Sequence, residues 1–379
     1  MKGGGILSPK ANMTAAAVLL LTSAGCTGAS SGNPMLESSG KPFLLKGISD
    51  MRQVGQITGA ESPNKTDRYA VYGTDLGSML NAGEKTYFVF GDTFGERPAD
   101  QIGGGGSFWR SNTLGFTTDD NPEDGITLDG MITDEIGTAK ELLPSKKLDY
   151  DEMTKIPTHG VEANGALYLY YMSVNHWGEP GRWDANYAGL AKSVDEGQNW
   201  TLLEHPEWPG DSNFIQVSPY KVANGDGTKD IYLWSIPSGR FGGVKLMKVG
   251  EKDIERQEAH RYYAGSDERG NPLWSEEMAR AVTLLDDTAG ELSVVWNPYL
   301  KRWLMTYLQE GRGVIIREGL APWGPWGEAI DLVTKEQQPG LYGPFMNDRY
   351  AADGGKTIYF ALSLWNPYNV FWFRASLEK

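Results

Sequence analysis

Five times along the chain, a turn built from Gly, Asn or Pro gives way to a run of aromatic and β-branched residues. The segments are Gly83–Asp92 (GEKTYFVFGD), Asn164–Ser173 (NGALYLYYMS), Gly227–Ser235 (GTKDIYLWS), Pro298–Tyr307 (PYLKRWLMTY) and Gly354–Leu364 (GGKTIYFALSL). Such runs suit buried pleated backbone, and the turns ahead of them suit hairpins. Superposed, the segments align Tyr87, Tyr168, Tyr232, Trp303 and Tyr359, about 55 to 80 residues apart. One hairpin per repeat predicts an all-β fold, a five-bladed β-propeller in which each run is the second strand of a blade. An irregular β-sandwich with coincidental turns is the competing arrangement.

The segment Ser193-Val194-Asp195-Glu196-Gly197-Gln198-Asn199-Trp200 matches the Ser-x-Asp-x-Gly-x-x-Trp pattern of the Asp-box, a propeller turn between third and fourth strands. It predicts Tyr187–Ser193 as the third strand of blade two and Trp200–Leu203 as the fourth, with Asp195 a structural residue on the outer rim. The phase then makes the stretches ahead of each repeat the innermost strands: Tyr72–Leu80, Thr158–Glu162, Ile215–Tyr220, Glu291–Trp296 and Tyr342–Tyr350. Polar groups on these strands converge on one funnel although they are far apart in sequence.

The first 42 residues break the pattern. Lys2 and Lys10 form a positive region ahead of an apolar stretch, Met13–Leu21, too short to cross a bilayer as a finished helix, and small residues lead from it to Cys26. This predicts a bacterial export leader over 1–26 with Cys26 as the lipidated residue; cleavage with secretion, or an uncleaved anchor, are the alternatives. Residues 27–42 read as a flexible tether and 43–379 as the propeller, so the domain is expected at the cell surface or secreted, touching the membrane only through its N-terminal lipid. Cys26 is the only cysteine, which excludes a disulfide framework and a cysteine nucleophile in the domain.

With 35 Lys and Arg against 49 Asp and Glu, the formal charge is −14 and no basic stripe is present to track nucleic acid. The 13 Trp, 18 Tyr and 12 Phe serve strand cores for the most part and leave a share for stacking on sugar rings. Histidines at 159, 176, 205 and 260 have no metal-binding spacing, so no cofactor is expected; an axial ion near His159 is the one ion site left open. Dinucleotide, phosphate-loop and nucleophile-elbow motifs are absent.

Chemistry points to two aspartates. Asp75 in Gly73-Thr74-Asp75-Leu76-Gly77 and Asp92 in Phe90-Gly91-Asp92-Thr93 flank one hairpin, so both face a common cleft. Paired carboxyls of this kind serve glycoside cleavage, one as acid and one as base or nucleophile. Asp75, deeper on an innermost strand, is expected as base or nucleophile and Asp92 as acid. Arg110, Asn112, His159, Gln216 and Glu291 are candidate substrate-binding or supporting residues. Asn175, His176 and Trp177 end the second strand of blade two, and Trp365 ends that of blade five, where sugar subsites are expected.

The run Tyr72–Gly77, then Phe88-Val89-Phe90-Gly91-Asp92-Thr93, Trp109-Arg110-Ser111-Asn112 and the late Trp323-Gly324-Pro325-Trp326 turn resemble an actinobacterial family long catalogued as a domain of unknown function. That family is associated with endo-acting D-arabinanases that cut the α-D-arabinofuranose chains of arabinogalactan and lipoarabinomannan. The resemblance covers most of residues 45–379. It implies a five-bladed propeller, an arabinan substrate and two catalytic aspartates, matching Asp75 and Asp92. A carbohydrate-binding propeller without catalysis, and a sialidase-like hydrolase suggested by the Asp-box, are the alternatives. A monomer is expected.

Overall fold

The computed structural model describes Met1, residues 33–37 and residues 40–379. The expected leader with Cys26 and the first part of the tether lie outside the described residues. Within the rest of the tether, Pro34–Leu36 forms one 3-10 turn, and Trp303 Nε1 donates to the Met35 carbonyl at 2.8 Å.

Hairpins build the blades. At Asn164-Gly165 both residues take positive φ, 51° and 75°, as a two-residue type I′ loop requires, and Ala163 pairs with Ala166 across it. The repeated aromatic runs form second strands: Lys85–Phe90, Ala166–Trp177, Lys229–Ile236, Arg302–Gln309 and Thr357–Leu364. They read as nearly continuous apolar stretches because both faces of a middle strand are covered. Tyr87, Tyr168, Tyr232, Trp303 and Tyr359 are each at most 3% exposed, so their alignment in the sequence marks one structural position.

Among the described residues the strands form five antiparallel sheets, in chain order apart from the first strand, and the fold is the five-bladed propeller. The innermost strands are Leu76–Ala82, Thr154–Ala163, Gln216–Ala223, Ala289–Asn297 and Leu341–Ala352, each packed against the next around the axis and the last against the first. Blade five is completed by the N-terminal strand Gly47–Gln56, which pairs with Asn369–Glu378 from Gly47 opposite Glu378 to Gln56 opposite Phe371. The first and last strands therefore share a sheet, and opening the ring means breaking it. In blade two, Asp195 Oδ1 accepts from Ser193 Oγ (2.8 Å) and Asn199 N (2.9 Å), Gly197 has φ 86°, and Thr201–Leu202 pairs back on the third strand. The Asp-box phase is as expected, and Asp195 is exposed.

Four innermost strands carry a register shift: between Leu76 and Ser78, Pro157 and His159, Gly290 and Leu292, and Tyr342 and Phe345. A bulge re-aims the side chains beside it. Asp75, Thr158, Glu291 and Tyr342, at or next to these shifts, all line one cavity.

Candidate active site

The cavity on the propeller axis has a volume of about 780 Å³. Blade one brings both aspartates to it. Gly73 bridges Phe94, the hydroxyls of Thr74 and Thr93 meet at 2.7 Å, and the Asp75 carbonyl accepts from Gly91 N at 3.1 Å. The segments carrying Asp75 and Asp92 are thus joined just before the strands enter their ladder. Leu76 follows with φ 66° and Gly77 with φ 83°, and Leu76 N is held by Ser363 Oγ at 2.8 Å. A bulky residue in the left-handed region is strained, and here the strain sets the direction of Asp75. Gly91 leaves the room: a Cβ there would lie 2.4 Å from Asp75 Oδ1.

The two carboxyls have different surroundings. Asp75 Oδ2 accepts from Tyr342 OH at 3.0 Å and the Tyr368 hydroxyl also pulls on the carboxyl, while among the described residues no group bonds the buried Oδ1. Burial, reinforced by the charge of Asp92, pushes the Asp75 carboxyl up to about 8. Asp92 Oδ1 accepts from Trp109 Nε1 and Thr154 Oγ1, both at 2.8 Å. Burial raises Asp92 to about 7, against the pull of those two donors and of Lys147. Around neutral pH this pair holds both protonated and ionised carboxyl, which acid and base chemistry requires.

Glu291 is the third carboxylate on the wall. Its Oε1 pairs with Arg240 Nη2 at 2.7 Å and its Oε2 is buried without a partner. Gly290 admits that arginine, since a Cβ there would meet Arg240 Nε at 2.8 Å. Trp177, Gln216 and Trp365 also line the cavity, and Trp365 sits edge-on to Tyr342 and Tyr368.

Other sequence candidates stand elsewhere. Asn112 is fully buried: its amide donates to the carbonyls of Leu143 and Lys155 and its oxygen accepts from the amides of Leu142 and Leu143. Arg110 is buried as well, with its guanidinium on the carbonyls of Phe108, Ala139 and Ala70. Neither lines the cavity, and the expectation that they bind sugar is corrected: both hold backbone. His159 lines a separate cavity of about 230 Å³, and burial pushes its imidazole down to about 4. Asn175 bonds Asn186 Oδ1 at 2.9 Å, and His176 pairs with Asp149 at 2.6 Å, beside the cavity wall and not on it.

Trp109, Thr154, Arg240, Tyr342 and Tyr368 were not singled out by sequence reasoning. Trp109 and Tyr342 carried a signal, as neighbour of Arg110 in one motif and as first residue of a predicted innermost strand. Arg240 and Thr154 carried none, because only the ring brings them to Glu291 and Asp92.

Solved structures similar to this chain include a "putative hydrolase" from Bacteroides ovatus, 13% identical, covering 82% of this chain and 87% of that one with a TM-score of 0.54. They also include a GH43_1 enzyme from Xanthomonas citri (13% identity, 82% and 88% covered, TM-score 0.47) and the arabinanase Arb43A from Bacillus subtilis (14%, 81% and 97%, 0.42). At these identities the first likeness speaks for the fold alone, and the other two carry no argument. No curated protein matches the chain. The model of one family, described as Domain of unknown function (DUF4185), matches residues 61–374, and the chain belongs to that family.

Proposed function

We propose that this protein is a glycoside hydrolase that cuts arabinofuranosyl linkages within arabinan chains, an endo-D-arabinanase-like activity on cell-wall arabinogalactan or lipoarabinomannan. The observation that carries the reading is the pair Asp75 and Asp92, a half-buried and a buried carboxyl set by joined segments of blade one on the wall of one cavity, whose enclosure raises the proton affinity of both. Trp177 and Trp365 on the same wall suit stacking on sugar rings.

Asp75, raised by burial and by the facing charge of Asp92 with no cation among the described residues beside it to offset them, is the better holder of the proton. Asp92, whose Oδ1 accepts from two donors, is the better carboxylate. This exchanges the roles expected from depth along the strand. In the reaction, Asp75 gives its proton to the leaving glycosidic oxygen as the C1–O bond breaks. Asp92 stabilises the oxocarbenium-like state and either bonds C1 or takes a proton from the attacking water. Arg182 and Arg240 on the wall are engaged by Glu310 and Glu291, which disfavours the sialidase-like alternative, since that chemistry needs arginines open to a substrate carboxylate.

The test is release of new reducing ends when the full chain is incubated with arabinogalactan, with xylan as control. Asp75→Asn and Asp92→Asn are each expected to lose about 10³-fold in rate. Undiminished product from both variants overturns the assignment, and binding of the polymer with no reducing ends favours a carbohydrate-binding propeller. An N-terminal lipid on Cys26 would keep the enzyme at the cell surface, where such polymers lie.

A further inference from the structure

One aromatic side chain beside the cavity is exposed and yet locked from behind. Tyr150 is 72% exposed, and its ring lies parallel to the His176 imidazole, with centroids 4.1 Å apart and planes 11° apart. Asp149 Oδ1 fixes His176 through Nδ1 at 2.6 Å, and Tyr150 N donates to the Asn175 carbonyl at 3.0 Å. The Tyr150 backbone sits at φ 59°, strained for a bulky side chain, as does Lys147 at φ 57°. The inner face of the ring is held by the His176 stack, with the hydroxyl 3.3 Å from His176 Nε2, while the ring as a whole stays exposed. A ring fixed on one side and open on the other suits a binding face, because a pre-ordered platform loses little freedom when a ligand lands on it.

The segment is bracketed by the cavity. Lys147 Nζ lies 5.5 Å from the ring centre of Trp109, and Met153, three residues beyond Tyr150, lines the cavity together with Trp109. On the facing strand, His176 is followed by Trp177, another wall residue. Tyr150 therefore stands beside the wall on the side of Asp92, which Thr154, the residue after Met153, bonds at 2.8 Å.

Resting on the hydrolase reading, we propose that Tyr150 is a remote sugar subsite, taking the C–H face of a furanose ring of the same neutral polysaccharide some units away from the bond being cut. Such a subsite contributes only when the chain is long enough to reach it.

The test measures kcat and KM for the full chain on soluble arabinan and on arabinofuranosyl oligosaccharides of increasing length. Tyr150→Ala is expected to raise KM on the polymer roughly three- to tenfold, with kcat held and the shortest cleaved oligosaccharide unaffected. Tyr150→Phe, which keeps the ring face, is expected within about twofold of the parent. An unchanged KM on polymer for Tyr150→Ala, or equal losses on short and long substrates, overturns the subsite and leaves the hydrolase reading standing. A parent chain that binds arabinan without cutting it overturns the hydrolase reading alone, and the same long-against-short contrast is then read from affinity electrophoresis. A parent that neither binds nor cuts overturns both.

Discussion

Trp109 donates its indole Nε1 proton to Asp92 Oδ1 at 2.8 Å, and Lys147 Nζ lies over the same indole. Glu141 in turn holds Lys147 at 2.6 Å and accepts from Ser111 N at 2.7 Å. A cation over the π face makes the indole N–H a stronger donor, so donor and charge both favour ionised Asp92. Removing either raises the proton affinity of Asp92. The acid limb of the kcat/KM profile is expected to move to higher pH by roughly 0.5–1 unit in Trp109→Phe and Lys147→Met. Glu141→Gln, which removes an opposing negative charge, is expected to move it the other way. Profiles of the three variants check the chain of contacts.

The parent profile itself should be a narrow bell. On the proposed assignment the active form carries one proton between two carboxyls raised to about 8 and about 7, so activity is expected to peak between those values and fall on both sides. A plateau extending below pH 5 would show that the pair is not the titrating unit.

Burial of Asp75 also links stability to pH. A carboxyl raised in the fold above its unfolded value of about 3.9 stabilises the protein fully below that value, and the contribution is lost as pH rises through about 8. Asp75→Asn has no charge to bury. Its melting temperature should match the parent near pH 4 and exceed it by roughly 4–8 °C at pH 8 and above, with activity lost at every pH. Thermal melts across that range decide the matter.

Gly91 leaves no space for a larger residue. A Cβ there would lie 2.4 Å from Asp75 Oδ1 and 3.1 Å from Leu76 Cδ1, so Gly91→Ala displaces the carboxyl or the bulge that aims it. Displacement on the ångström scale at a reacting group lowers rates by about 10²-fold. The expected result is a fall in kcat of that order with a smaller change in KM.

Asn112 separates a structural role from a binding one. Its side chain makes four hydrogen bonds to backbone, to Leu142 N, Leu143 N, Leu143 O and Lys155 O, at 2.8 to 3.0 Å. Asn112→Ala strands those groups in the interior and is expected to destabilise by about 3 kcal/mol. Calorimetry should register the loss while KM for the residual folded enzyme stays at the parent value.

The sequence by itself determined the repeat, the blade phase and the aspartate pair. Each rests on local chemistry: Asn164-Gly165 can make a tight hairpin, aromatic runs suit strands buried on both faces, and Gly73, Gly77 and Gly91 mark backbone that bends around two acids. Which neighbours reach the cavity was decided by tertiary structure. Arg110 and Asn112 share a motif with Trp109, yet they turn into the protein while Trp109 faces Asp92, because successive side chains on extended backbone point opposite ways and a shift of one residue exchanges them. Thr158 and His159 are adjacent and line different cavities, parted by a register shift. The pairing of Glu291 with Arg240 joins blade four to the loop after the second strand of blade three, and no local pattern encodes a meeting that exists only once the ring has closed.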